Sequence, residues 1–308
     1  MANTLAEATY RLARELGIVT EGVATGGSAT TLIDTNDLTQ ADDYWNGASL
    51  WILRDSAEAA AAPEGEFGIV SDFVDSTATL SLRNVAAGSG NALTAAAAAG
   101  DRYALGKKRY PMHILIQKVN QALVEMGTMP ITDTTTIDTA SAQTEYTLPI
   151  AANMDLREVY YQTVTGDAND NRWRKILNWH VQRSAIGSAD LLMLPMQYPS
   201  VRDVKLVYMD THPSLDDHDD KISEHVHLSR VVMEATVLAL LWRKQKVGAG
   251  DPTLNEQLNF YLGAETGGLS RLDKVRQKYP IRAPTAHRRF LVMGQRVAED
   301  EFYTPPAP

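Results

Sequence analysis

Short β-rich segments occur in two separate runs along the 308-residue chain, and residues with helical spacing occur only before, between and after those runs. The first run lies at 19–106 and the second within 145–209. Strands that follow one another without an intervening helix favour antiparallel sheets. The pattern predicts an α+β protein with an N-terminal helix, a small antiparallel β-domain, a central helix, a second antiparallel β-sheet, and C-terminal helices followed by an extended arm.

Helices are predicted where apolar residues recur every three to four positions. Thr4 is suited to cap the first helix and Gly17 to end it. Glu224 lies in the first turns of the long helix predicted at 221–246, where the helix dipole favours an acid. The predicted helices span 4–16, 111–126, 221–246, 252–265 and 269–279.

These elements divide the chain into four predicted parts. They are an N-terminal helix at 1–18, an antiparallel β-domain at 19–106, an α+β core domain with the C-terminal helices at 107–280, and an extended arm at 281–308. Within the core domain, the Thr-rich segment 132–143 is expected to lead into the second β region. The arm contains four prolines and has no strong period, so we expect it to become ordered only when something binds it.

The absence of cysteine limits the chemistry open to the chain. It excludes thiol nucleophiles, disulfide frameworks, thiolate zinc sites and iron–sulfur clusters. No apolar stretch approaches the roughly 20 residues that cross a bilayer, so no transmembrane helix is expected. The N-terminus has the pattern of an amphipathic helix rather than of a signal peptide.

The densest group of possible metal ligands is the loop that contains His212 and the segment 216–220. Its spacing matches no EF-hand, and acids commonly precede a helix, so we interpret it as a solvated capping loop. A hydrolase that uses this loop would need Asp219 and His218. His225 and His227 would point about 200° apart on a helix and could not bind one ion together. We therefore assign no catalytic residue, cofactor or metal ligand from the sequence.

Charge is distributed unevenly along the chain. Residues 1–106 contain 5 Lys or Arg and 14 Asp or Glu, whereas 107–308 contain 24 of each. A basic segment at 271–296 has one acid, Asp273. It could bind nucleic acid, or the acidic surface of a neighbouring copy in a head-to-tail contact. The residues predicted to make such contacts are Arg271, Lys274, Arg276, Lys278, Arg282, Arg288, Arg289 and Phe290.

The β-domain has a recognisable series of turn and strand segments. They are Asp42-Asp43-Tyr44-Trp45-Asn46-Gly47, the strand 49–55, Gly68-Ile69-Val70-Ser71-Asp72-Phe73, Thr79-Leu80-Ser81-Leu82 and Gly100-Asp101-Arg102-Tyr103. This series resembles a module of tailed-bacteriophage structural proteins. The following part, with Glu145-Tyr146-Thr147-Leu148-Pro149, the segment Trp173 to Trp179 and a helical pair, is similar to phage neck proteins of the head–tail connector or adaptor type.

This resemblance implies a structural virion protein that is assembled in the host cytoplasm. Copies would form a ring, a dodecamer in that family, between the portal protein and the tail or neck proteins, with DNA passing through the ring. Many adaptors are smaller and mostly helical, and the large β content here departs from that pattern. The alternative is another neck, tail or decoration protein whose β-domain binds a host or virion surface through Tyr44, Trp45 and Trp51.

Overall fold

The computed structural model describes most of the chain up to residue 281, in two compact units. The first unit contains the described residues before Pro130 and from Thr211 onward, and the second contains Pro130–Asp210. Residues of the predicted core domain at 107–280 thus contribute to both units. The described residues are 3–57, 61–85, 91–140, 142–148, 155–163, 173–183, 189–199, 201–248, 251–263 and 268–281.

The first unit contains a seven-stranded antiparallel sheet, as predicted for 19–106. Its strands are β1 Val19–Val23, β2 Gly26–Gly27, β3 Thr31–Ile33, β4 Ser49–Arg54, β5 Phe67–Val74, β6 Thr79–Arg83 and β7 Arg102–Gly106. Their order across the sheet is β1-β7-β4-β5-β6-β3-β2. The two end strands, β1 and β2, are consecutive in the chain and are separated only by Ala24 and Thr25. Because a two-residue connection joins its two edge strands, the sheet must be strongly curled.

The curled sheet encloses an apolar core that includes Leu50, Ile52 and Tyr103. Side chains alternate between the two faces of a strand, so Trp51 of β4 lies on the opposite face from Leu50 and Ile52. Trp51 is buried there as well, and its indole N–H donates a hydrogen bond to the hydroxyl of Thr9, 3.1 Å away. The first helix thus covers the outer face of β4.

Five helices are described, four of them close to their predicted bounds. They are α1 Leu5–Glu15, α2 Met112–Glu125, α3 Leu228–Val247, α4 Pro252–Leu262 and α5 Arg271–Lys278. The Thr4 hydroxyl accepts a hydrogen bond from the Glu7 backbone N–H and so caps α1. Gly17 follows α1 with φ of 65°, a left-handed conformation that favours glycine at the end of a helix. None of the described helices has both the length and the apolar character that a membrane span requires.

The prediction for the long helix was wrong at its start, since α3 begins at Leu228 and not at 221. The backbone N–H of Ile222 donates to the carbonyl of Asn3, and Lys221 forms an isolated antiparallel bridge with Thr4. These contacts hold the segment in an extended conformation beside the N-terminus. Glu224 therefore lies outside the helix. His227 caps α3 through its ring, which accepts a hydrogen bond from the Ser229 backbone N–H.

The second unit is antiparallel, as predicted, but its described residues form two sheets instead of one. The larger sheet has the order β11-β10-β14-β8 and the smaller has the order β12-β13-β9. The strands are β8 Met129–Asp138, β9 Glu145–Thr147, β10 Leu156–Gln162, β11 Trp173–Lys175, β12 His180–Gln182, β13 Leu191–Met193 and β14 Asp203–Asp210. Strand β8 occupies much of the Thr-rich segment that was expected only to connect elements. β-Branched threonine suits a strand, but its polarity hid the apolar alternation on which the prediction depended.

The close approach of Gly22 to Tyr103 provides a test of the packing around the curled sheet. A Cβ atom at Gly22 would lie 2.5 Å from the Tyr103 hydroxyl oxygen. Tyr103 is buried, and that hydroxyl donates a 2.7 Å hydrogen bond to Asp34, so the ring cannot move aside easily. We expect Gly22→Ala to lower the free energy of unfolding by about 1–3 kcal/mol, measured by chemical denaturation.

Gly26→Ala is the matched control, because a Cβ atom there would have nothing within 4 Å. This substitution should leave the free energy of unfolding unchanged or raise it slightly, since alanine reduces the entropy of the unfolded chain. Equal effects of the two substitutions would contradict the close packing of Gly22 against Tyr103.

Candidate functional site

The basic residues of α5 that were predicted to make external contacts are partly used inside the first unit. The Arg276 guanidinium donates to both carboxylate oxygens of Glu234 on α3, at 2.6 and 2.7 Å. This two-point hydrogen bond raises the pKa of Arg276 above its usual value. Arg276 also lies 3.7 Å from Asp273 in its own helix. Its main contact in the described structure is therefore with α3.

Arg271 and Lys278 contact aromatic rings at the two ends of α5. The Arg271 guanidinium lies 4.5 Å from the centre of the Phe260 ring. The Lys278 ammonium lies 5.2 Å from the centre of the Tyr279 ring, which stacks on His227. Cation–π contacts at exposed positions contribute roughly 0.5–1 kcal/mol. Lys278 is exposed and Arg271 is half-buried, so Lys278 is the more accessible of the two charges.

Of the other predicted contact residues, Lys274 is exposed on α5. Arg282, Arg288, Arg289 and Phe290 lie outside the described residues, as does the predicted arm beyond residue 281. The structure thus brings together four of the eight predicted residues on one short helix. Two of these four, Arg271 and Arg276, also attach α5 to its neighbours.

The loop at 212–220 binds two helices of the first unit. The carbonyls of Asp220 and His218 accept hydrogen bonds from the backbone N–H groups of Leu5 and Ala6, at 2.9 and 3.2 Å. It therefore caps the start of α1, not the helix that follows it in sequence. The Asn120 side chain of α2 makes two 2.9 Å hydrogen bonds to the backbone of Leu215 in the same loop. The loop thereby links α1 to α2.

His212 holds the two ends of this loop together as a neutral imidazole. Its Nδ1–H donates to the carbonyl of Pro213 at 2.8 Å, and its Nε2 accepts from the Ser223 backbone N–H at 3.0 Å. Burial lowers the pKa of His212, against the opposing effect of the Pro213 carbonyl. A proton on Nε2 would remove the acceptor that Ser223 needs, so the fold requires the uncharged ring.

Three consecutive residues of the loop place possible metal ligands near one another. Ligand atoms of Asp217, His218 and Asp219 all lie within 4.8 Å of each other. The His218 Nδ1 is already 2.6 Å from a carboxylate oxygen of Asp217. Asp220 accepts hydrogen bonds from the backbone N–H groups of Asp216 and Asp217. The carboxylates of Asp217 and Asp220 thus participate in the hydrogen bonds that shape the loop.

Three carboxylates of the β-domain are buried, which the sequence did not predict. Asp34 accepts a hydrogen bond from Tyr103, and burial together with this contact raises the pKa of the Tyr103 hydroxyl. Asp101 accepts from the backbone N–H groups of Ser56 and Ala98, at 2.9 and 2.8 Å. Glu66 accepts from the backbone N–H of Thr94 at 2.7 Å. These acids hold loops in place, and no spacing in the sequence distinguishes them from exposed acids.

The aromatic residues of the alternative surface-binding hypothesis lie in different environments. Trp45 and Trp51 are buried, whereas Tyr44 is 51% exposed. The Trp45 indole N–H donates to the Gln40 side chain, and the Trp51 indole N–H donates to Thr9. Two of the three proposed contact rings are therefore part of the interior and are not available to a ligand.

A cavity of about 230 Å³ lies where α1, α3 and α4 meet. Its apolar wall includes Leu16, Leu240 and Phe260, and its lining also includes Glu15 and Glu256. The other lining residues are Thr253, Gln257 and Tyr261. Small-molecule pockets usually measure roughly 300–1,000 Å³, so this cavity is better suited to one inserted side chain.

Glu15 is held in place at this cavity by Tyr261. The Tyr261 hydroxyl donates a 3.1 Å hydrogen bond to the Glu15 carboxylate. Burial, and then the negative charge of Glu15, raise the pKa of Tyr261 to about 12. Glu15 therefore presents a fixed negative charge beside an apolar wall. This arrangement could not be predicted from the sequence, because its residues are far apart in the chain.

Comparison with protein families finds no family model that matches the chain, and no curated protein matches it either.

The buried His212 gives a testable pH dependence of stability. Its pKa is lowered in the folded protein, so below about pH 6.5, the usual histidine pKa, the unfolded chain binds the proton more readily than the folded one. The stability contributed by the neutral ring is present above that pH and is lost as the pH falls below it. We expect the free energy of unfolding of the native chain to fall between pH 7.5 and pH 5.5.

His212→Gln should lose part of this pH dependence, because glutamine does not titrate. His113→Gln is the control, since His113 is exposed at the start of α2. Denaturation curves at several pH values would measure both. The same pH dependence in His212→Gln and in the native chain would contradict the structural role of the neutral ring.

Proposed function

We propose that the protein is a structural subunit of a tailed-phage virion, of the head–tail connector or adaptor type, and not an enzyme. Copies form a homo-oligomeric ring, a dodecamer in the family that the chain resembles. The ring lies between the portal protein and the tail or neck proteins, and DNA passes through it without sequence-specific contacts. The chain is made in the host cytoplasm and becomes part of the virion.

The observation that carries this proposal is the exposure of apolar side chains on the last three helices. Phe260 of α4 is 53% exposed, and Leu262, Leu241 and Val247 are exposed on the same group of helices. Leu269, two residues before α5, is also exposed. Exposed apolar groups beside charged ones are typical of surfaces that bind another protein. A subunit whose function is assembly needs such a surface.

The charge distribution supports contacts between copies. The part of the chain at 1–106 is rich in acids, whereas α5 is rich in basic residues, so two different parts of the protein carry opposite net charge. A contact between two different surfaces of the same protein is heterologous, and repetition of such a contact closes a ring when the rotation allows it. Opposite charges would also orient the copies as they approach.

The alternative, a decoration or tail protein whose β-domain binds a surface, has weaker support. It depended on Tyr44, Trp45 and Trp51, and the last two are buried. Binding of the full chain to a glycan array, lost in Tyr44→Ala, would favour this alternative.

Phe260→Ser tests the role of the exposed helices in assembly. Phe260 is half exposed, and its contact with Arg271 contributes roughly 0.5–1 kcal/mol, so its loss should lower the melting temperature by only about 2–4 °C. Removal of an aromatic anchor from an interface typically costs 2 kcal/mol or more, so we expect ring formation or binding to the portal ring to weaken about tenfold or more. Light scattering and negative-stain microscopy, with and without the portal ring encoded in the same genome, would measure the effect.

Leu177→Ser is the matched control, since Leu177 is 64% exposed in the second unit. It should leave assembly unchanged. A chain that remains monomeric with and without the portal ring, and that mass spectrometry does not find in purified particles, would rule out the proposed function.

A further inference from the structure

The cavity between α1, α3 and α4 combines an apolar wall with fixed negative charge. Leu16 and Leu240 are buried in the wall, and Phe260 leaves about half of its surface exposed beside them. Glu15 and Glu256 add two carboxylates to the lining. A complementary partner would insert one apolar side chain and would place positive charges next to it.

The chain itself contains a segment with this composition outside the described residues. The sequence His287-Arg288-Arg289-Phe290-Leu291 has an aromatic residue directly after two arginines. No acid occurs between Asp273 and Glu299, so the segment is basic throughout. Arg–carboxylate pairs are charge-assisted and can form two parallel hydrogen bonds, which adds geometric specificity to the contact.

We propose that this cavity is the docking site for the segment 287–291 of a second copy of the chain. Phe290 enters the apolar part beside Leu16, Leu240 and Phe260, and the neighbouring arginines bind Glu15 and Glu256. The inference rests on the proposed function, because it identifies one contact between adjacent copies of the ring.

Two observations favour this occupant over a small molecule. The volume of about 230 Å³ is below that of most small-molecule pockets, and it suits a single side chain. The two lining carboxylates equal the two consecutive arginines of the segment in number and carry the opposite charge. The insertion of a segment from one copy into the next is a heterologous contact, as ring closure requires. It would also cover the exposed ring of Phe260.

Disulfide trapping tests the contact directly, because the chain has no cysteine of its own. Glu256→Cys is made in one full-length chain and Arg289→Cys in another that carries a tag of different size. The two are mixed and mildly oxidised, and non-reducing electrophoresis separates the mixed disulfide from disulfides between identical chains. We expect the mixed product to form at least tenfold faster than with His113→Cys in place of Glu256→Cys, since His113 is exposed and does not line the cavity.

A charge exchange provides a second measurement that needs no cysteine. Glu256→Arg should weaken association between copies, and Arg289→Glu in the same chain should restore it. Neither residue is in the described interior, so both variants should keep the melting temperature of the native chain. Restoration of association by the second change would support a direct pair between these positions.

Three results would overturn the inference. The first is a mixed disulfide that forms no faster than in the His113→Cys control. The second is a disulfide within a single chain that carries both cysteines, which would show that the segment folds onto its own chain. The third is a ring that forms normally although the mixed disulfide is absent and the charge exchange has no effect on association. This result would reject the docking contact and leave the proposed function standing. The proposed function itself would be rejected if the chain formed no ring, did not bind the portal ring and was absent from particles.

Discussion

The first unit depends on the way α1 is held at both its start and its buried face. Three apolar residues of this helix, Leu5, Ala8 and Leu12, are fully buried. The Thr9 hydroxyl accepts a hydrogen bond from the indole N–H of Trp51 and donates one to the backbone carbonyl of Leu5. A buried donor without a partner costs roughly 1–3 kcal/mol, so this chain of hydrogen bonds determines how the helix lies on β4.

The start of α1 connects this packing to distant parts of the chain. The first N–H groups of a helix have no partner within the helix, and here the carbonyls of the 212–220 loop accept two of them. The same loop is bound by Asn120 of α2 and is closed by His212. A loop rich in acids and histidines thus resembles a ligand site in the sequence and stabilises helix packing in the structure.

The candidate interaction surface follows from the same packing. α1 and α3 bring Leu16 and Leu240 together, and α4 adds Phe260 and Glu256 to form one cavity. The Tyr261 hydroxyl orients Glu15 toward it. On α5, Arg276 binds Glu234, so part of the basic segment holds the helix in place while Lys274 and Lys278 remain exposed. Under the proposed function, the surface used for assembly is formed by several helices and not by one short sequence motif.

The sequence alone determined the α+β class, the antiparallel β-domain at 19–106, and four of the five helices found in the described residues. These features depend on local periodicity and on capping residues such as Thr4 and Gly17. It did not predict the start of α3 at Leu228, because the segment from Lys221 pairs with Thr4, more than two hundred residues away. Strand β8 was missed because its threonines hide the alternation. The cavity, the buried acids Asp34 and Asp101, and the capping of α1 by Asp220 were decided only by the tertiary structure. Each of them depends on groups that are distant in the chain and that the fold brings within hydrogen-bonding or packing distance.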